Sequence, residues 1–418
     1  MLKENNNIFV VLSAFLLFNS FYILPPITSS FIVPVIGLIY SLIYRNGNLS
    51  YKIIRKKKLF KHYCFIVLLF GSNLLITILH SSYDLSYAKN YLAQFIQLTL
   101  ILSFFLLFIP YKIYNINYFE RIIVLTFVLQ SIVQIAAFSI PSIAQIIHLT
   151  YDQDKIQRLY LNYGGIRGLA LTGSPGWGLS IGYAISFLFY VKSYILTRNI
   201  KFTTIIIGLL LIVGALFSGR TAFLGLLFSV LYFFISNDTY TQKIIKPIKI
   251  FISMLTILFI CMIIYPTMIQ QIEQKVFPFI FEFVYKYENT GKFSSKSTDV
   301  LSNMWGVKIT FNEIMFGSGI FTDQSSGNYY KNVDVGVIRN ILFGGILWFV
   351  LICFYQIFIL DIFNKNFRCK NEKNILILLF IMLSIMELKA MTLGFNKYMF
   401  TILTFYYFSK KISKVEEL

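Results

Sequence analysis

The sequence predicts an all-α, polytopic integral membrane protein of about twelve transmembrane helices, with a large extracytoplasmic loop between spans 9 and 10. Three observations carry this expectation. Hydrophobic residues make up 57% of the 418 residues and charged residues only 13%, about half the charged share of an ordinary soluble domain. The mean hydropathy is +0.70. Long apolar runs recur along the chain, more than a soluble globule of this size could hide from water. A soluble enzyme, a nucleic-acid-binding domain and a disordered tail are set aside on these grounds.

The runs can be taken in order. They cover 8–24, 31–44, 63–79, 92–110, 121–140, 176–191, 202–218, 221–236, 250–266, 337–360, 374–388 and 395–409. A helix needs about 20 residues to cross the hydrocarbon core, so the second, eleventh and twelfth must borrow polar neighbours. The first is followed by Pro25 and Pro26 and another apolar run, without small residues to mark a cleavage site. It reads as a membrane helix rather than a removed signal peptide. Most runs are too long and continuous for barrel strands.

The net charge of +19 then orients the chain. With the N-terminus in the cytoplasm, alternate loops carry Lys52, Arg55, Lys56, Lys57, Lys58 and Lys61, then Lys243, Lys246 and Lys249, and the tail carries Lys410, Lys411 and Lys414. Most of the basic excess falls inside, as the positive-inside rule requires. The expectation is a bacterial inner-membrane protein, multi-pass, with both termini cytoplasmic. The basic run 55–58 reads as an anchor on anionic membrane lipid, and no nucleic-acid partner is expected. The whole chain, 1–418, reads as one transmembrane domain with two long outer segments, 148–175 and 267–334. Long loops on a rigid scaffold often carry chemistry.

Cys64, Cys261, Cys353 and Cys369 form no CxxC, and His62, His80 and His148 lie far apart. Neither a metal site nor a cofactor is predicted. The GxSxG match at Gly178–Gly182 falls inside an apolar run, so Ser180 reads as a packing residue and not as a nucleophile.

The charges that sit out of place are three arginines. Arg220 lies in LFSGRTAFLG, in a turn between two apolar runs. It either meets a phosphate or carboxylate or snorkels to headgroups. Arg167 lies in the glycine-rich NYGGIRGLALTGSPGWGLSIGYA, with Gly168 and Gly173 among its neighbours; the glycines serve close approach to a ligand or close helix packing. Arg339 begins the tenth span, five residues after Asp334 and near Gly336. Three such guanidinium groups together would repel one another unless an anion lay among them. Acid–base candidates are Asp299, Glu313, Asp323 and Asp334 on the second long loop, against the plainer reading of solvated surface carboxylates. Glu387, with Lys389, either lines a pocket or is solvated at a helix end.

GLALTGSPGWGLSIGYA, LFSGRTAFLG and MFGSGIFTDQ…NVDVGVIRNILFGGI stand in an order that resembles the O-antigen and capsular polysaccharide repeat-unit polymerase (Wzy) family, within the O-antigen ligase-like superfamily. The resemblance covers roughly 160–350. It implies polymerisation of undecaprenyl-pyrophosphate-linked oligosaccharide repeat units by a metal-independent glycosyltransferase at the outer face of the inner membrane. A chain-length regulator and a flippase are the implied partners. The resemblance carries Arg167, Arg220, Asp334 and Gly336 over by position; taken with the out-of-place charges and glycines above, Arg167, Arg220, Arg339, Gly168, Gly173 and Gly336 are expected to bind substrate, with Asp334, Arg220 and Arg339 in catalysis. The alternatives are an O-antigen ligase-type transferase, disfavoured because no histidine lies in 267–350, and a polysaccharide flippase or other transporter.

Overall fold

A computed structural model describes residues 2–24, 27–44, 57–108, 116–152, 156–159, 161, 165–196, 200–236, 239–264, 270, 272–323, 327–364 and 370–394. Among them lie α1 (Leu2–Asn19), a short antiparallel ribbon of β1 (Tyr22–Leu24) and β2 (Ile27–Thr28), α2 (Ser29–Tyr44), α3 (Lys57–Leu79), α4 (Ser86–Phe108), α5 (Ile116–Ser139) and α6 (Pro141–His148). There follow α7 (Trp177–Tyr190), continued by a π turn over Val191–Ile195, then α8 (Phe202–Ser218), α9 (Phe223–Ile235) and α10 (Tyr240–Ile264). The later helices are α11 (Phe277–Ile280), α12 (Glu282–Thr290), α13 (Lys296–Trp305), α14 (Phe311–Phe316), α15 (Gly336–Asn364) and α16 (Lys370–Glu387).

Local chemistry sets several boundaries. Pro141, with its fixed φ and missing N–H, opens α6. Reciprocal capping boxes start α13 (Ser295 with Thr298) and α14 (Thr310 with Glu313). Gly291, at φ +67°, ends α12 in the left-handed conformation.

The chain divides into two units. The first comprises Met1–Val33 and Pro110–Ser294, the second Pro34–Ile109 and Ser295–Leu418. In the first, α5 packs on α1, α7 and α8, and α7 packs in turn on α8 and α9. Missing side chains allow the approach: a Cβ on Gly225 would run into the Ala184 backbone, and one on Gly214 into Ser131 and Tyr183. The buried polar groups between these helices pair with each other. The Tyr183 hydroxyl donates to Gln134 Oε1 at 2.7 Å and lies 3.0 Å from Ser131 Oγ. Lys192 forms a buried ion pair with Glu120, whose other oxygen accepts from Ser193 Oγ. In the second unit, α15 packs on α3, α14 and α16.

The twelve-span bundle is corrected. Among the described residues four helices are long and apolar enough to cross a membrane, over Phe60–Leu79, Asn117–Ser139, Trp177–Ile195 and Gly336–Ile359. The reason lies in what an apolar run can mean. A run that packs inside a fold is as greasy as one that crosses a bilayer. Of the Trp177–Ile195 window, 94% is buried within the fold. The runs at 202–218 and 221–236 become helices of 17 and 13 residues. The run at 8–24 leaves its helix at Asn19 and turns into the ribbon, and 31–44 falls in a 16-residue helix that contains Pro34. The twelfth, 395–409, lies outside the described residues. The inner-membrane, multi-pass placement with both termini cytoplasmic was counted from those twelve spans and is corrected with them.

Candidate functional site

The second unit holds the most unusual arrangement of charge. Val333, Val335, Ile338 and Leu342 are buried together and anchor the start of α15. They leave Asp334 turned toward the surface, with its side chain 44% exposed, while Arg339 one turn further on is 8% exposed. Arg339 Nη1 reaches Asp334 Oδ1 at 3.5 Å. The guanidinium is clamped between two rings, its Cζ 3.8 Å from the Phe321 centroid and 3.3 Å from that of Tyr329. The two rings are tilted 58° to each other, and a cation this close to both ring centres is attracted by their π systems and held in place. Arg339 Nε is buried with no hydrogen-bond partner.

The surrounding protein withdraws water from Asp334 and pushes its carboxyl up to about 6, against the downward pull of Arg339 and then Lys389. A half-exposed acid that titrates near neutrality can take up and release a proton under ordinary conditions.

Behind this pair stands a rigid polar support. The Tyr87 hydroxyl donates to Asn340 Oδ1 at 2.7 Å, and Asn340 Nδ2 donates to Glu387 Oε1 and to the Gly336 carbonyl, both at 3.0 Å. Glu387 also accepts from the Thr392 amide, from Thr392 Oγ1 at 2.9 Å and from the Leu393 amide at 2.7 Å. Glu387 is thus no solvated helix end: it is 1% exposed and ties the end of α16 to the start of α15. A Cβ at Gly336 would strike its carboxylate, which is why glycine stands there.

A second clamp fixes Phe321. Asp84 accepts from the Phe321 and Thr322 amides, each at 2.7 Å, and from the Ser86 amide at 2.9 Å. Phe321 in turn stacks on Tyr87, with centroids 4.2 Å apart.

The other loop acids fall elsewhere in this unit. Glu313 caps α14 and pairs with Lys331 at 2.7 Å. Burial alone would raise its carboxyl, but Lys331 and Thr310 outweigh that and hold it at about 2. It stays ionised and engaged, which is a structural role. Asp299 lies in the first turn of α13. Asp323 follows Thr322, which bridges to Tyr329, and the Asp323 amide donates to the Asn328 carbonyl at 2.8 Å.

Arg167 and Arg220 belong to the first unit. Gly219, between Ser218 and Arg220, has φ +148°. A Cβ there would lie 2.9 Å from Arg167 Nη2 and 3.1 Å from Ser180 Oγ, so the Arg167 guanidinium rests against this turn. Arg220 pairs with Glu282 at 2.8 Å and lies over the Phe283 ring at 5.0 Å. Gly168 and Gly173 shape the loop before α7. Gly168 has φ +109°, and the Gly173 amide donates to the Asn19 carbonyl at 3.1 Å, pinning the loop to the end of α1. Ser180 is buried and donates to the Gly176 carbonyl at 3.0 Å. Among the described residues no group of three His, Cys, Asp or Glu is arranged to hold a metal ion.

Comparison of the chain with protein-family models, curated proteins and solved structures gives no match. The reading as an outer-face polymerase of lipid-linked repeat units, with the ligase and flippase alternatives, is corrected by the fold. It needed a twelve-span body that offers free guanidinium groups to one diphosphate. Among the described residues the helices instead pack densely with four candidate spans, and Arg220 is bound internally to Glu282 and Arg339 to Asp334 and two aromatic rings.

Proposed function

We propose that the chain is an enzyme whose proton-transfer group is Asp334. The charge of Lys389 beside it favours an anionic substrate there, a phosphate-bearing donor being the simplest. The observation that carries this reading is the pairing of a half-exposed carboxyl, titrating at about 6, with an arginine fixed between two rings. In the reaction class this suits, a hydroxyl of the acceptor attacks the donor carbon bonded to a phosphate oxygen. The hydroxyl proton passes to Asp334, the carbon–oxygen bond to phosphate breaks, and the departing phosphate carries the electron pair into the field of Lys389. Arg339 acts mainly through Asp334, because its own side chain is nearly covered.

The test is a rate–pH profile with a synthetic glycosyl phosphate and an alcohol acceptor, read as released phosphate. Native protein should show an acid limb with a midpoint near 6. Asp334→Asn should lose that limb and slow the reaction by about 10²–10⁴-fold. A variant with the native rate and the native limb would remove Asp334 from the chemistry.

A further inference from the structure

The first unit carries an apolar surface that its own packing does not use. Along α10, Ile244, Ile248, Phe251 and Leu255 are each at least half exposed. Their spacing of four, three and four residues places them on one face of the helix. On α9, Leu231 and Phe234 are also exposed. Single exposed apolar residues are ordinary, whereas a stripe of large ones marks a surface that meets something other than water.

The charge beside the stripe identifies what meets it. Lys243, Lys246 and Lys249 stand in the first turns of α10, where the stripe begins. Lys243 Nζ donates to the Phe234 carbonyl at 2.7 Å and Lys246 Nζ to the Ile195 carbonyl at 3.4 Å, so both side chains are drawn to the C-terminal ends of α9 and of the π turn. Lys249 is exposed. From Ile200 to Ile264 the sequence has a single acidic residue, Asp238. A protein partner is ordinarily met by a rim of mixed charge; this rim is basic. From Ile244 to Leu255 the stripe runs about 16 Å at the helical rise. That is close to half of the roughly 30 Å hydrocarbon core of a bilayer.

We propose that the outward faces of α9 and α10 are covered by lipid, with acyl chains along the stripe and anionic headgroups at Lys243, Lys246 and Lys249. Such a basic collar at the head of an apolar stripe selects anionic over zwitterionic lipid. The inference is independent of the chemistry assigned to Asp334.

Two measurements test it. Phe251→Trp, in nanodiscs whose lipid is brominated along the acyl chains, should have its added emission quenched at least about twofold relative to the parent protein. No added quenching overturns the proposal. So does shielding of that tryptophan from brominated lipid together with a dimer in sedimentation, which would assign the face to a second copy. The second measurement is retention of phosphatidylglycerol against phosphatidylcholine by native mass spectrometry. Lys249→Gln, at an exposed position, should lower phosphatidylglycerol retention roughly fivefold, and the Lys243, Lys246 and Lys249 triple glutamine variant further, with phosphatidylcholine unchanged. An unaltered lipid preference in Lys249→Gln and in the triple variant overturns the headgroup assignment.

Discussion

Replacing Asp84 by alanine should open the loop that holds Phe321 without unfolding the chain. The carboxylate accepts from three backbone amides, Phe321 and Thr322 at 2.7 Å and Ser86 at 2.9 Å. Hydrogen bonds to a charged acceptor contribute about 1.5–3 kcal/mol each. Thr322 is only half-buried and water can reach part of the gap, so the loss should be about 3–5 kcal/mol, confined to the segment around Phe321. Asparagine is little better, because its amide nitrogen must turn a donor toward donors on one side. The pH dependence has a fixed sign. Burial pulls the Asp84 carboxyl upward, but hydrogen bonds from Ser86, Thr322 and Phe321 outweigh it and hold the group below its ordinary value. Its stabilisation is therefore present at neutral pH and fades as the pH falls through that depressed value. Hydrogen exchange at the Phe321 and Thr322 amides is the assay. At neutral pH the variant should lose about 10²–10⁴-fold of protection there, in keeping with that energy, while amides in the middle of α5 hold theirs. Unchanged protection at Phe321 and Thr322 would refute the clamp.

Further outcomes follow from the same geometry. Arg339→Met should raise the Asp334 midpoint above about 6, since the arginine holds that carboxyl down; carboxyl-carbon NMR titration reads it, and an unmoved or lower midpoint would contradict the pairing. Gly219→Ala meets both a positive φ of +148° and the Arg167 guanidinium, and should cost about 1–3 kcal/mol in thermal or denaturant unfolding. Glu313→Gln should destabilise by about 1 kcal/mol at pH 7. Because that carboxyl is held at about 2, the difference from native should persist down to about pH 4 and vanish only as the pH approaches 2, visible as converging melting curves.

The hydropathy pattern made the helices legible because it reports apolar periodicity directly. It could not say which apolar face meets another helix, and that is what corrected the count: Gly214 and Gly225 let neighbouring helices close on Tyr183 and Ala184, where the sequence offers only another greasy run. At the candidate site, Asp334 and Arg339 were visible as charges at the edge of such a run. Their partners were not. Tyr329 and Phe321 precede Arg339 by ten and eighteen residues and look like ordinary loop aromatics, while Asp84 and Tyr87 reach the site from more than two hundred residues away. Lone polar residues inside apolar helices, such as Asn340 and Glu387, were the available signal, because hydrocarbon-like surroundings tolerate such groups only when they are paired. Arg167 and Arg220 fall in the first unit and Arg339 in the second; like spacing beside apolar runs carries no information about which unit a residue joins, or that Glu282 answers Arg220.

The interruption in α15 has a consequence of its own. Gly345 adopts φ +71° in mid-helix, and a Cβ on it would collide with the Met315 carbonyl. The carbonyls of Leu342 and Phe343 accept from the amides of Ser318 and Gly319 at 2.7 and 2.8 Å. Substitutions should therefore be borne unevenly along α15: freely in the outward positions beyond Trp348, and hardly at all at Gly345 or at Gly317, whose missing side chain admits the backbone of residues 343 and 344. A saturation library scored for folded protein would show this as a sharp notch in an otherwise permissive stretch, and that notch would mark the pivot about which the segment bearing Arg339 and Asn340 is aimed.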